Sequence, residues 1–278
     1  MTNIFKRGIN SNVLKTIALI AMVIDHIGFY FMPYLPNVIY IICRYIGRIS
    51  MPIFVYTLVQ GFFHTKNFKK YITRIGMVAC ITQILITGLM VINKHYVPEY
   101  TAANQVFVTG NILFTFTICL LIMKLLHEDI LVKKWDYTKN ICVKIVVILL
   151  IIACIMLVPL DYGAEALVLT ILLYFIEKFK IKIMLSKTDA SVSVKKLVLN
   201  TISENNIQIT YVGLIFAALL LVVIYFELKW TVVLAIIPIA LYNFEKGKGN
   251  KFVKYMYYVI FPIQHVLLYL LAMHLMLT

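Results

Sequence analysis

Four ionisable side chains interrupt two long apolar stretches near the start of the chain. Asp25 and His26 lie in the first stretch, and Arg44 and Arg48 lie in the second. Each stretch is long enough to cross ~30 Å of hydrocarbon as a helix that rises ~1.5 Å per residue. A charged side chain near the bilayer centre costs about 3 kcal/mol when it is unpaired. We therefore expect these residues to pair with one another or to face a wet cavity.

These side chains include the groups that acid–base chemistry needs. His26 has the side chain whose ordinary pKa is nearest neutrality, so it can take up and release a proton at working pH. Arg44 and Arg48 are spaced to share one helix face, and the two arginines face the single carboxylate of Asp25. The surplus positive charge predicts an anionic ligand or a carboxylate from another helix. A structural ion pair that pins two helices together is the alternative.

The composition is that of a polytopic membrane protein. Of 278 residues, 62% are hydrophobic and only 14% are charged, whereas water-soluble proteins of this length carry about 25% charged residues. The sequence predicts an all-α class, a transmembrane helix bundle that forms one domain over residues 1–278. About nine spans fit the apolar pattern, with eight or ten also possible, at residues 13–32, 38–63, 71–92, 106–125, 141–158, 164–179, 207–226, 230–244 and 255–276.

Three of these spans have features that interrupt a regular helix. The sixth and eighth are short, which suggests that they are broken, tilted or buried within the bundle. In the second, Pro52 is placed to kink the helix just after Arg48.

The basic residues indicate topology and not nucleic-acid binding. The net charge is +14, with 26 lysines and arginines. If the amino terminus is cytoplasmic, 22 of the 26 fall on the inner side and two on the outer side. This asymmetry follows the positive-inside rule. We therefore expect a multi-pass protein of a bacterial cytoplasmic (inner) membrane, in contact with lipids and with no nucleic-acid partner.

The densest polar segment, residues 61–74, is predicted at the inner end of the second span. It contains His64, Lys70 and Arg74, and Lys70 and Arg74 share a helix face. This spacing suits a phosphate site. A basic turn held at lipid headgroups is the alternative.

A second group of polar residues is predicted at the depth of Asp25 or towards the outer side. Asn111 opens the fourth span, Asp161 lies in a short link, and His265 lies about halfway along the last span. A lone histidine in a membrane helix is often only hydrogen-bonded to a neighbouring helix. Together with residues 61–74, this arrangement predicts two polar sites joined through the bundle.

Two further features are assigned no chemistry. The five cysteines lie in or beside apolar spans without disulfide or metal-ligand spacing, so no metal site is predicted. Residues 178–206 alternate basic and apolar side chains, and we expect them to lie on the inner membrane surface.

In order and residue type, these motifs resemble the TraX family of integral membrane proteins, whose founding member acetylates the pilin of conjugative pili. The resemblance is dense in the first third of the chain, at residues 14–20, 24–28, 44–54, 61–65, 67, 70, 71 and 74. It is sparse but ordered afterwards, at residues 111, 114, 115, 161–163, 241–249, 254–262 and 265.

The resemblance implies an acyltransferase that uses cytoplasmic acetyl-CoA as a co-substrate and modifies an acceptor on the far side. The acceptor would be a peptide or pilin amino terminus, or a hydroxyl of an envelope glycan. By this resemblance, the catalytic residues are Asp25, which orients His26, together with His26, Arg44 and Arg48. The residues that bind acetyl-CoA are His64, Lys70, Tyr71 and Arg74, and the residues that bind the acceptor are Asn111, Asp161 and His265.

The chain departs from the family pattern at two places. Gln83 stands in the third span where an acidic residue is expected, and residues 244–246 interrupt a Gly-rich loop. Two other functions fit the same residues: a proton-coupled or anion transporter, and a non-catalytic scaffold of a pilus, secretion or envelope assembly. Against a transporter, the sequence shows no inverted repeat and no matched pair of broken helices.

Overall fold

The chain folds as a bundle of α-helices in the computed structural model, which describes residues 8–93, 110–128, 136–158, 160–186, 205–247 and 251–277. The predicted all-α class is confirmed for these residues. The helices are α1 (Ser11–Tyr30), α2 (Asn37–Gly47), α3 (Ser50–His64), α4 (Phe68–Asn93), α5 (Ile112–His127), α6 (Tyr137–Leu157), α7 (Gly163–Ser186), α8 (Asn205–Tyr225), a 3₁₀ helix (Trp230–Ala235), α9 (Ile236–Ala240) and α10 (Lys251–Leu277).

Within the described residues, six helical stretches are long and apolar enough to cross a membrane, where the sequence predicted about nine spans for the whole chain. They are Ser11–Tyr30, Asn37–His64, Phe68–Leu89, Tyr137–Ile155, Gln208–Tyr225 and Tyr255–Leu275. Two shorter apolar helices, Ile112–His127 and Trp230–Ala240, match the predicted fourth and eighth spans. The chain is therefore an integral membrane protein.

The predicted eighth span, residues 230–244, is not one helix. It consists of a 3₁₀ helix, the five-residue α9 and an irregular segment from Leu241 onwards. Pro238 lies within α9, and its missing N–H removes a hydrogen bond that a continuing helix needs. The sequence had left open that this span is broken.

The predicted kink near Arg48 is an interruption of the helix. Helix α2 ends at Gly47 and α3 begins at Ser50, while Arg48 and Ile49 keep right-handed backbone angles between them. Pro52 lies in the first turn of α3, where the missing N–H of a proline has little cost.

Helices α1 and α2 pack closely because two glycines leave room for side chains of the facing helix. A Cβ built on Gly28 would lie 2.7 Å from Cβ of Cys43, and one built on Gly47 would overlap the side chain of Asp25. Helix α1 also packs against α3 and α10, and α10 packs against α4. The first and last helices of the chain are therefore neighbours.

The irregular segment after α9 is tied to the start of the chain by backbone hydrogen bonds. The N–H of Ile9 donates to the carbonyl of Leu241 at 2.8 Å, the N–H of Asn243 donates to the carbonyl of Ile9 at 2.9 Å, and the N–H of Ser11 donates to the carbonyl of Glu245 at 2.8 Å. These bonds hold the segment that leads into α10 beside the first turn of α1.

Candidate functional site

Asp25 and Arg44 form an ion pair between α1 and α2. Arg44 Nη1 donates to Asp25 Oδ2 at 2.8 Å, and the two side chains are only 14% and 17% exposed. The other carboxylate oxygen, Oδ1, is buried with no hydrogen-bond partner among the described residues. The carboxylate of Asp25 therefore has one oxygen bonded to Arg44 and one left for another donor.

The resemblance led us to expect that Asp25 orients His26, and the structure does not show this. No hydrogen bond joins the two side chains in the described part of the chain, because adjacent residues of a helix point in different directions. The ring of His26 instead lies against the ring of His265 in α10, with 4.3 Å between their centroids. His265 Nδ1 is hydrogen-bonded to the hydroxyl of Tyr30 at 2.8 Å.

Two ring nitrogens in this histidine pair are left without partners. His26 Nδ1 and His265 Nε2 are both buried and have no hydrogen-bond partner among the described residues. A buried, unpaired nitrogen is costly for a protein, and in an imidazole it can hold or release a proton. The pair is therefore equipped for proton transfer.

Arg48 contacts the link between α6 and α7 and not Asp25. Its Nη1 donates a short hydrogen bond to the hydroxyl of Tyr162, and the guanidinium carbon lies 5.4 Å from the centroid of the Tyr162 ring. Arg44 and Arg48 therefore have different hydrogen-bond partners, Asp25 and Tyr162.

Asp161 and Tyr162 form a fixed turn just before α7. The N–H of Asp161 donates to the carbonyl of Gly110 at 2.9 Å, and Thr115 Oγ1 donates to the carbonyl of Asp161 at 2.8 Å. Tyr162 has a φ of 50°, a left-handed conformation that is rare for bulky residues. An unusual backbone angle held by its surroundings is typical of functional sites.

A cavity of about 70 Å³ lies where these elements meet. Its polar lining comes from Asp25, His26, Ser50, Asp161 and Tyr162. The remaining lining residues are apolar or aromatic: Met22, Phe54, Ile112, Leu113, Phe116, Tyr257, Tyr258 and Phe261. The cavity lining does not include Arg44, Arg48 or His265. Each of them contacts a residue that does line the cavity: Asp25, Tyr162 and His26, respectively. The lining is mainly apolar with a few polar groups, as in most binding sites, but the volume is below the ~300–1,000 Å³ of a typical ligand pocket.

The carboxyl group of Asp161 stands apart from the membrane-spanning helices, in the link. Its pKa is raised to about 6, first because the surrounding protein disfavours the charged form and then because the carboxylate of Asp25 repels a second negative charge. The residue is nevertheless exposed, so solvent weakens this effect. Burial also raises the pKa of the neighbouring Tyr162 hydroxyl above its ordinary value.

The residues expected to bind acetyl-CoA lie at the end of the bundle where α3 ends and α4 begins. His64 and Lys70 are exposed there, and His64 Nδ1 is within 2.7 Å of the carbonyl oxygen of Gln60. Tyr71 packs against Gly61, where an added Cβ would lie 2.6 Å from the tyrosine hydroxyl. The structure thus brings these residues to one face, apart from the cavity.

Arg74 links that face to the cavity. Its guanidinium carbon lies 5.6 Å from the ring centroid of Tyr258 and 5.7 Å from that of Tyr255, both in α10. Such contacts between a cation and an aromatic face are favourable. Because Tyr258 also lines the cavity, one side chain separates the basic face from the space beside His26.

Asn111 does not reach the cavity. It is the N-cap of α5, where its side-chain oxygen accepts from the N–H of Leu113 at 3.1 Å. Its amide donates to the carbonyl of Ala79 at 2.9 Å and to Gln83 Oε1 at 3.0 Å. These bonds satisfy the side chain and join α5 to α4, so the structure gives Asn111 a structural position. Gln83, where the chain departs from the family pattern, is its partner.

Sequence reasoning missed a buried polar cluster in which side chains of α3, α7 and α8 meet. Glu177 Oε2 accepts from Tyr211 Oη at 2.6 Å and Gln60 Nε2 at 2.8 Å, and Glu177 Oε1 accepts from Lys180 Nζ at 2.9 Å. Lys180 Nζ also lies 4.0 Å from the ring centroid of Phe244. The spacing of Glu177 and Lys180 on one helix face was the available signal.

This cluster corrects the expectation that residues 178–206 lie on the membrane surface. Helix α7 continues to Ser186, and the side chain of Lys180 is only 7% exposed. The ion pair and the aromatic rings allow a lysine to be buried there. Residues 187–204 lie outside the described part of the chain.

Sequence reasoning also missed two tyrosines that line the cavity, Tyr162 and Tyr258. Tyr162 was noted only as the middle of an Asp-Tyr-Gly turn, although such a turn commonly requires an unusual backbone angle. Tyr258 lies in an aromatic stretch of α10, and a sequence pattern does not show which aromatic ring faces a cavity.

Comparisons with known proteins agree with this integral membrane character. A family model described as "TraX protein" matches residues 10–272. The chain is 33% identical over 108 residues to a probable fimbrial assembly protein FimC, serogroup H1, of Dichelobacter nodosus, which covers 39% of this chain and 43% of that protein.

A second relative is an uncharacterized protein of Rickettsia prowazekii (strain Madrid E). It is 42% identical over 78 residues, which cover 28% of this chain and 27% of that protein. The chain therefore spans less than half the length of both curated relatives. No solved structure matches it.

Proposed function

The chain belongs to the TraX family, and from this premise we propose that it is a membrane-embedded acetyltransferase. It would move an acetyl group from acetyl-CoA to an amine or a hydroxyl group of an acceptor. The observation that carries the proposal is the cavity in which His26 meets Asp25, Asp161 and Tyr162. The name of the fimbrial assembly relative is consistent with a pilin-like peptide as the acceptor, and an envelope glycan is the other candidate.

In this proposal His26 is the general base. The acceptor's nucleophile attacks the thioester carbonyl carbon while its proton passes to the imidazole of His26. The carbon–sulfur bond then breaks, and the proton is returned to the departing thiolate of CoA. Arg44 acts as a positioning residue, because it holds the Asp25 carboxylate at the cavity wall.

The size of the cavity determines which part of acetyl-CoA it can receive. A volume of about 70 Å³ holds a group as small as acetyl, whereas the nucleotide must stay outside. Lys70, His64 and Arg74 lie at the face from which Tyr258 leads to the cavity. Their positive charge and N–H groups suit phosphate oxygens, so we assign the phosphates of CoA to this face.

The orientation follows the positive-inside rule. The face with Lys70 and Arg74 would be cytoplasmic, where acetyl-CoA is available, and the Asp161 link would face the opposite side of a bacterial inner membrane. The acceptor would then reach the cavity past Asp161, so that the chain transfers acetyl groups across the membrane.

The first experiment measures release of free thiol from acetyl-CoA by the purified protein in detergent. We expect His26→Ala to lower the rate 10²- to 10⁴-fold, the usual contribution of a general base. His127→Ala is the matched control, because His127 lies among Phe62, Phe63 and Tyr174 and away from the cavity. Full activity of a folded His26→Ala protein would refute the role of His26.

A second experiment tests the assignment of the basic face. Lys70→Ala and Arg74→Ala should each raise the acetyl-CoA concentration for half-maximal rate about tenfold, because each removes a charge-assisted hydrogen bond. Lys69→Ala is the control, since Lys69 is also exposed but lies off the face that Lys70 and Arg74 share. Equal effects of all three variants would indicate only a general electrostatic attraction.

One observation favours the transporter alternative. The unpaired nitrogens of His26 and His265 lie in neighbouring rings, an arrangement that also suits a proton path through a membrane. Ligand stabilisation separates the two functions, because a ligand that binds only the folded state raises its melting temperature. Acetyl-CoA should stabilise the transferase, whereas a proton carrier would be unaffected.

A further inference from the structure

We propose that the hydroxyl group of Tyr162 is the hydrogen-bond donor that stabilises the negative charge on the acetyl carbonyl oxygen during transfer. The inference rests on the proposed function and adds a catalytic residue to it. The resemblance assigned Arg44 and Arg48 to catalysis, but neither arginine lines the cavity, whereas Tyr162 does.

The hydrogen bond from Arg48 leaves the proton of Tyr162 available. A guanidinium group only donates hydrogen bonds, so the Tyr162 oxygen must be the acceptor in its contact with Arg48 Nη1. The phenolic O–H is then left to donate to another acceptor. The nearby positive charge also polarises the phenol, which makes it a stronger donor.

The backbone holds Tyr162 in place before substrate binds. The N–H of Ala166 donates to the carbonyl of Tyr162 at 3.0 Å, and the N–H of Gly163 donates to the carbonyl of Leu160 at 3.1 Å. The preceding residue is fixed by Gly110 and Thr115. Donors that are fixed before the reaction stabilise a developing charge most effectively, because they need not reorganise.

The ionisation state of Tyr162 also suits a donor. Burial raises the pKa of its hydroxyl above the ordinary value, so the phenol keeps its proton at neutral pH. It can therefore donate a hydrogen bond but is a poor base, which leaves proton abstraction to His26.

The reaction balances with Tyr162 as a donor only. When the acceptor attacks the carbonyl carbon, the π electrons move to the carbonyl oxygen, and the O–H of Tyr162 bonds to that oxygen without losing its proton. The electrons return as the carbon–sulfur bond breaks. The products are the acetylated acceptor and free CoA thiol, and Tyr162 is unchanged.

The kinetic test compares a tyrosine of the cavity with a buried tyrosine outside it. Tyr162→Phe keeps the ring and loses the donor, so kcat for thiol release should fall 10²- to 10³-fold, as when one oxyanion donor is removed. The half-saturating concentration of acetyl-CoA should change little. Tyr211→Phe is the matched control, since Tyr211 does not line the cavity and its hydroxyl donates to Glu177 Oε2 at 2.6 Å. It should lower the melting temperature and leave kcat within a few-fold.

A test by infrared spectroscopy does not depend on turnover. A hydrogen bond to a carbonyl lowers its stretching frequency, so acetyl-CoA labelled with ¹³C at the carbonyl should absorb at lower frequency on the wild type than on Tyr162→Phe. Identical bands with wild-type kcat in the variant would overturn the role of Tyr162. A wild-type protein that neither binds acetyl-CoA nor releases thiol would instead overturn the proposed function itself.

Discussion

Gly47 in α2 faces the side chain of Asp25 in α1 so closely that a Cβ on the glycine would overlap the carboxylate. The close approach places Asp25 within reach of Arg44, one turn earlier in α2. A glycine is therefore required at this position for packing, although it lies at the end of a helix where glycine is common for other reasons.

We predict that Gly47→Ala strongly destabilises the protein. The added methyl group would displace Asp25 from Arg44, and overpacking alone costs about 1–3 kcal/mol. Gly88→Ala in α4 is the control, because nothing lies within 4 Å of a Cβ at that position, and alanine in a helix is favoured over glycine by about 0.5–1 kcal/mol. The melting temperatures in detergent should move in opposite directions, and a shared direction would contradict the prediction.

Substitutions of Asp25 and Arg44 should be strongly coupled in their effects on the free energy of unfolding. Arg44→Met leaves the carboxylate of Asp25 largely buried without its partner, which we expect to cost about 3 kcal/mol. Asp25→Asn combined with Arg44→Met removes both charges, so the double variant should be more stable than Arg44→Met alone. The measurement is a double-mutant cycle of unfolding in detergent. Additive losses would show that the two side chains do not stabilise each other.

Asn111→Ala should reduce stability without changing the chemistry. The variant loses the cap of α5, worth about 1 kcal/mol, and the bonds to Ala79 and Gln83. We expect a lower melting temperature with an unchanged rate of thiol release per folded molecule. Gln83→Ala, which removes one of those partners, should have a smaller effect of the same kind. A normal melting temperature with a reduced rate would instead restore Asn111 as a substrate-binding residue.

Asp161 should make the protein less stable as the pH rises. The pKa of its carboxyl is about 6 in the folded protein and about 4 in an unfolded chain, so folding favours the protonated form. The contribution of this carboxyl group to the free energy of unfolding is fully present below about pH 4 and is lost as the pH rises through about 6. The exposure of Asp161 keeps the effect modest.

The comparison is between wild type and Asp161→Asn at about pH 5 and about pH 7.5. Between these two pH values the melting temperature of the wild type should fall more than that of Asp161→Asn, because the amide of the variant does not ionise. The same pH dependence in both proteins would assign it to another group.

Local sequence patterns were enough to predict the helical class and, as one of the alternatives, an ion pair between Asp25 and an arginine of the next helix. Both depend on apolar length and on charges in adjacent helices, and the cost of burying a lone charge leaves few alternatives. The resemblance to the TraX family was confirmed by the family model over residues 10–272. The roles of the site residues stay predictions.

Contacts between distant parts of the chain could not be predicted in the same way. Arg48 is hydrogen-bonded to Tyr162, 114 residues further along the chain, and nothing in the spacing of Arg44 and Arg48 indicated this contact. Lys180 was predicted to lie in a basic surface segment, because its burial depends on Glu177, whose carboxylate is held by Tyr211 and Gln60 in other helices. The packing of the helices decides which of these residues meet, and a single sequence shows that packing only indirectly.

The separation of the interacting residues along the chain has a consequence for biosynthesis. Asp25 meets Arg44 only 19 residues later, so the first two helices can enter the bilayer as a hairpin whose charges are already matched. Tyr30 meets His265 after 235 residues, in a helix that leaves the ribosome long after the first two. Nascent chains that end before α10 would therefore insert their first hairpin normally and still lack the wall of the cavity that α10 supplies. The cavity would therefore be completed only after α10 has been inserted.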